Sequence, residues 1–97
     1  SGNEKVFHKV ISVFLKDMPI LIDQLENAIR QHDFDKIQGI AHTLKGCSAN
    51  ISAHALADAA LEIEFAAKEV STNKLDSLWS KFLTEKDTLC RQLQAFK

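Results

Sequence analysis

Three side chains in one short run, His42, Lys45 and Gly46, have the types and spacing to do chemistry. The run reads Ala41-His42-Thr43-Leu44-Lys45-Gly46-Cys47-Ser48-Ala49-Asn50. Residues three and four apart share a helical face, so an imidazole, an ammonium and a stretch of bare backbone fall on one small surface. A neutral imidazole is a nucleophile, and a pKa of about 6.5 leaves much of it neutral near pH 7. Glycine inside a helix costs about 1 kcal/mol relative to Ala. A bare position held at that cost serves something outside the helix.

The helix that carries these residues has two distinct faces. At roughly 100° per residue, Ile37, Ile40, Ala41, Leu44, Ser48 and Ile51 cluster within about 100° of arc and must face the core. His42 lies roughly 140° from Ile37 on the same wheel. Gln38, Gly39, Lys45, Gly46 and Ala49 surround it. A purely solvated face is usually filled with Glu, Lys and Arg; this one is cleared of bulk and reads as a docking surface. An ordinary exposed histidine beside an ordinary exposed lysine is the plainer alternative, which the two flanking glycines make uncomfortable.

The rest of the chain must position that helix. Gly and Pro are scarce and apolar residues recur at spacings of three and four throughout, so the fold is all-α. A first helix is expected over Glu4–Asp17, with Val6, Phe7, Val10, Ile11 and Phe14. Pro19 breaks it or opens a second helix, which carries Leu21, Ile22, Leu25, Ala28 and Ile29 and fades near His32. Asp33 is the expected N-cap of the helix from Phe34 to about Ile51. Ser52 is expected to cap the next, with Leu56, Ala59, Ala60, Ile63, Ala67 and Val70 along its stripe. Ser71-Thr72-Asn73 marks a turn. A long last helix carries Leu75, Leu78, Trp79, Phe82, Leu89, Leu93 and Phe96, and Trp79 and the phenylalanines read as core. Short connections favour antiparallel neighbours. The predicted architecture is an antiparallel up-down four-helix bundle with an additional short N-terminal helix.

Composition excludes several classes of function. With 97 residues there is room for one domain. A net charge of −1 and 26% charged residues give no field for nucleic acid or an anionic membrane. No apolar run approaches the roughly 20 residues that cross a bilayer. Two cysteines, Cys47 and Cys90, are too few for a disulfide framework, and reduced thiols suit a cytoplasmic protein. His8, His32, His42 and His54 make no i,i+3 or i,i+4 ligand pairs among themselves or with cysteine, so no metal site is expected. No nucleophile elbow or phosphate loop is present. Ser1-Gly2 looks like a cloning remnant, with residues 1–3 a disordered start and the domain over 4–96.

The stretch Asp33-Phe34-x-x-Ile37-x-x-Ile40-Ala41-His42-x-Leu44-Lys45-Gly46-x-Ser48-Ala49-Asn50-Ile51 resembles the signature of histidine-containing phosphotransfer domains. Leu56, Ile63, Glu64, Ala67 and Lys68 are similar to the next helix of that family, and the resemblance spans roughly Val6 to Leu93. Where relatives often carry Gly after the third helix, this chain has Ser52. The resemblance implies a bundle that accepts a phosphoryl group from a receiver-domain aspartate on the outer ring nitrogen of His42 and passes it to another receiver aspartate. Lys45 would offset the phosphoryl charge, and Gly46 would let the receiver approach.

Glu64 would accept a hydrogen bond from the inner ring nitrogen and Lys68 would reach the phosphoryl group, with Gln38 competing for the ring from one turn upstream. Equally, Glu64 and Lys68 make an ordinary i,i+4 surface pair. Gly39, Gly46, Ala49, Leu61, Phe14 and Met18 are the expected docking residues, although Leu61 and Phe65 also suit a widened core contact. The resemblance further implies a phosphocarrier that is not itself an enzyme. It would belong to a cytoplasmic, C-terminal part of a hybrid sensor kinase, be monomeric as an isolated domain and have receiver domains as partners. It would bind no cofactor, with Mg²⁺ on the receiver. The rival reading is a non-catalytic helical adaptor or dimerisation domain.

Overall fold

A computed structural model describes the backbone of residues 2–94 and the side chains of residues 8–93. Among the described residues there are four helices and no strand: α1 (Gly2–Arg30), α2 (Phe34–Asn50), α3 (His54–Lys68) and α4 (Thr72–Gln94). Each packs against its neighbour in sequence, α2 most extensively on α3, and α1 and α4 close the bundle through a lighter contact. The side chains of Val6, Phe7 and Phe96 lie outside the described residues, as does Ser1.

The separate short N-terminal helix is not present. α1 runs unbroken for 29 residues with Pro19 inside it. Proline removes one helical hydrogen bond and crowds the carbonyl four residues back, yet packing overrides that local cost. Ile11, Phe14, Met18, Leu25, Ala28 and Ile29 are all buried, and this stripe keeps helical phase across Pro19, whose ring sits on the exposed side. Gly2 and Asn3, expected to be a disordered start, are helical.

Three helices end in the same way, with a non-glycine residue in the left-handed region. His32, Ser52 and Val70 have φ of 54°, 60° and 54°. In each case the next residue's N–H reaches back to an orphan carbonyl: Asp33 to Ala28 at 3.0 Å, Ala53 to Ser48 at 2.9 Å, Ser71 to Ala66 at 3.0 Å. These are Schellman closures, which usually place Gly at the left-handed position. Ser52 therefore closes α2 and does not cap α3, whose N-cap is Ala53 with no side-chain bond. Val70 is exposed beyond the end of α3 and takes no part in its apolar stripe. α4 begins at Thr72, so Thr72 and Asn73 are helical and do not form a turn.

Asp33 caps α2 as its sequence predicts, accepting from the Lys36 N–H at 3.3 Å. Ile37, Ala41, Leu44 and Ser48 form the buried face of α2. Ile37, Ala41 and Leu44 join Leu25 of α1, Leu56 and Ile63 of α3, and Leu75 and Phe82 of α4 in one core cluster. Trp79 is half-buried and stacks on Phe82 with ring centroids 5.6 Å apart. Lys81 of α4 bonds Glu62 of α3 at 2.9 Å, and that carboxylate holds the ammonium above its usual pKa. No helix among the described residues is long and apolar enough to cross a membrane.

Candidate functional site

α2 turns His42 outward. Its side chain is 66% exposed, and its Nδ1 lies 3.2 Å from Oε2 of Glu64 on α3. Glu64 itself is only 7% exposed, on the edge of α3 that faces α2. An ionised carboxylate can only accept, so the hydrogen belongs to Nδ1 and the lone pair of the neutral ring belongs to Nε2. The ring is held through Nδ1 from the α3 side, and the side chain is otherwise largely exposed.

A buried carboxylate needs partners to offset its lost hydration. Glu64 has two besides the imidazole: the ammonium of Lys45 at 3.5 Å from Oε1, and that of Lys68 at 4.0 Å from Oε2. Lys68 also lies 5.4 Å from the Phe65 ring centroid, a cation–π contact within α3. The site therefore sets two ammonium groups and one carboxylate beside the imidazole, an excess of positive charge that suits an arriving anion.

Among the described residues the Nδ1 partner is Glu64 and not Gln38, which is half-buried. Glu64 and Lys68 do form an i,i+4 pair, but Glu64 is buried and shared with His42 and Lys45 across the helix interface. The surface-pair reading thus captures only part of their geometry.

Around His42 the exposed face of α2 is bare. Gly39, Gly46 and Ala49 are all exposed. A Cβ added at Gly39 or Gly46 would meet nothing within 4 Å, and neither glycine has positive φ. Nothing inside the molecule requires glycine at either position. The Thr43 hydroxyl turns back onto its own helix, bonding the Gly39 carbonyl at 3.1 Å.

The apolar flanks differ from expectation. Phe14 and Met18, expected to present docking surface, are 5% and 3% exposed because they belong to the α1 stripe that enters the core. Val13 and Ile20, half-exposed at 50% and 56%, supply the outward apolar surface of α1. Neither was among the expected docking residues, although both fall out of phase with the buried stripe. On the α3 side Phe65 is exposed and Leu61 half-buried, so Phe65 is not core.

A protein-family model described as Hpt domain matches residues 9–96. No curated protein and no solved structure matches the chain. The family match covers all of α2 and α3 and places His42, Lys45, Gly46 and Glu64 within it. Taken with the helical bundle and its outward histidine, it shows that the chain belongs to the Hpt family, whose members are phosphocarriers that work with receiver domains in phosphorelays.

Proposed function

We propose that His42 is the phospho-acceptor of a two-component phosphorelay, taking a phosphoryl group from one receiver aspartate and passing it to another. The observation that carries this reading is the pairing of His42 Nδ1 with buried Glu64, which leaves Nε2 outward on a face cleared by Gly39 and Gly46. Nε2 attacks phosphorus in line, the N–P bond forms as the acyl phosphate O–P bond breaks, and the electron pair leaves with the receiver carboxylate. The hydrogen on Nδ1 stays in place, and Glu64 stabilises the positive charge that develops on the ring. Lys45 and Lys68 move from Glu64 toward the phosphoryl oxygens and balance their charge. The reverse transfer uses the same groups.

On this reading the domain is a phosphocarrier with no cofactor of its own. A carboxylate already bonded by two ammonium groups is a poor divalent-cation ligand, and Mg²⁺ is assigned to the receiver. Family membership also supports a cytoplasmic, monomeric domain within a hybrid sensor kinase, spanning residues 4–96. The competing adaptor or dimerisation reading leaves the Glu64–His42 bond without a use. The test is labelling of wild type and His42→Gln by a phosphorylated receiver domain and by phosphoramidate. Acid-labile, base-stable phosphate on wild type and none on the variant is expected. Folded wild type that takes no label from either donor overturns the reading.

A further inference from the structure

Lys68 is the more loosely held of the two ammonium groups beside His42. Its Nζ lies 4.0 Å from Oε2 of Glu64, where Lys45 lies 3.5 Å from Oε1, and its side chain is the more exposed of the two. Lysine carries its charge on a flexible stem, and fixing that stem costs rotamer entropy. An ion pair at that distance, with one partner in water, does little to offset the cost.

The other contact of Lys68 is with Phe65, whose ring centroid is 5.4 Å from Nζ. Phe65 is half-exposed, and a single exposed aromatic needs no explanation by itself. Its place on α3 gives it one. At 100° per residue, Glu64, Lys68, Phe65, Glu69 and Glu62 follow one another around the helix in that order, within about 160° of arc. The ring stands between Lys68 and the two carboxylates farther round, with which it lines the groove between α3 and α4. Those carboxylates are already engaged from α4, Glu69 by Lys74 at 3.3 Å and Glu62 by Lys81 at 2.9 Å. Lys68 is left with the arc between the ring and Glu64, on the side of His42.

We infer that Phe65 is a positioning residue for phosphoryl transfer, its ring holding the Lys68 ammonium on the His42 side of α3 before the phosphoryl group arrives. The assignment rests on the phosphocarrier reading of His42. The attraction comes from the negative face of the aromatic ring, which an aliphatic side chain of similar size lacks. A cation ordered in advance removes a cost that transfer would otherwise meet in its transition state. Phe65 acts through Lys68 and not on the phosphoryl group.

The test uses phosphoramidate, a donor with no protein surface to dock. Phe65→Leu keeps an apolar side chain and removes the aromatic face, whereas Phe65→Tyr keeps both. Phe65→Leu should lower kcat/KM for labelling about two- to fivefold, the worth of a cation–π contact at an exposed site, and Phe65→Tyr should retain the wild-type value. In a Lys68→Met background, itself slower, Phe65→Leu should cause no further loss. Proton NMR of the unphosphorylated protein should show the Lys68 ε-methylene shifted upfield by the ring, and returned to the ordinary lysine position in Phe65→Leu. Wild-type labelling in Phe65→Leu, an equal loss in both backgrounds, or an unshifted Lys68 ε-methylene in wild type overturns the role of Phe65 and leaves His42 standing. Failure of phosphoramidate to label folded wild type overturns the phosphocarrier reading and the positioning role with it.

Discussion

Replacing Gly46 separates what the helix needs from what its partner needs. A Cβ at this position meets nothing within 4 Å, and the backbone is ordinary right-handed helix. Gly46→Ala should therefore recover helix propensity without strain, about 0.5–1 kcal/mol. For a domain of this size that corresponds to a rise in Tm of about 2–8 °C. Gly39→Ala should do the same. Seven residues separate the two, about 10 Å along the axis, so the effects should add. Urea titration followed by circular dichroism should show a higher midpoint with an unchanged slope.

Function should move the other way as bulk is added. Gly46→Leu keeps the helix at least as stable as wild type but places an isobutyl group beside His42. An offset of about 1 Å in a docked partner costs roughly 100-fold in transfer, so receiver-dependent kcat/KM should fall by about that factor. Phosphoramidate labelling should stay within about twofold. A Gly46→Leu protein that transfers at the wild-type rate would refute the docking argument. A Gly46→Ala protein with a lower urea midpoint would refute the claim that the space above Gly46 is open.

Three further outcomes are expected. Glu64→Ala should free the ring, so that ¹H–¹⁵N spectra show both His42 tautomers, and transfer should slow roughly tenfold for the loss of a charge-assisted hydrogen bond; an unchanged tautomer ratio rejects the assigned role. Ser48→Ala should stabilise the fold by about 1 kcal/mol, because the Ser48 hydroxyl is fully buried with no hydrogen-bond partner; a lower Tm would show that the hydroxyl is satisfied. Val70→Gly should stabilise by about 0.5–1 kcal/mol by relieving a β-branched residue at φ 54°, and an unchanged urea midpoint would show that the left-handed cap carries no strain.

Where expectation and structure part, the reasons are physical. Pro19 reads as a break because local propensity argues for one, yet Ile11, Phe14, Met18 and Leu25 keep helical phase through it. The longer-range pattern was the better guide, since burial of a continuous stripe outweighs one lost hydrogen bond. Ser52 reads as a cap by residue type, but its left-handed φ commits it to closing α2. Phe14 and Met18, which family likeness offers as docking surface, hold the phase of the α1 stripe and are buried in it.

By itself the sequence determined what depends on neighbours along the chain. The Asp33 cap, the two faces of α2 and the outward position of His42 follow from hydrogen bonds and a 3.6-residue period that act over a few residues. The tertiary structure alone decided what depends on how α2 lies against α1 and α3. Glu64 meets His42 across 22 residues of chain, and a shift of one residue in helix register would point the carboxylate elsewhere. The burial of that carboxylate and its sharing between Lys45 and Lys68 belong to the same packing. Side chains on different helices have no common period, and only the packed core sets their distances.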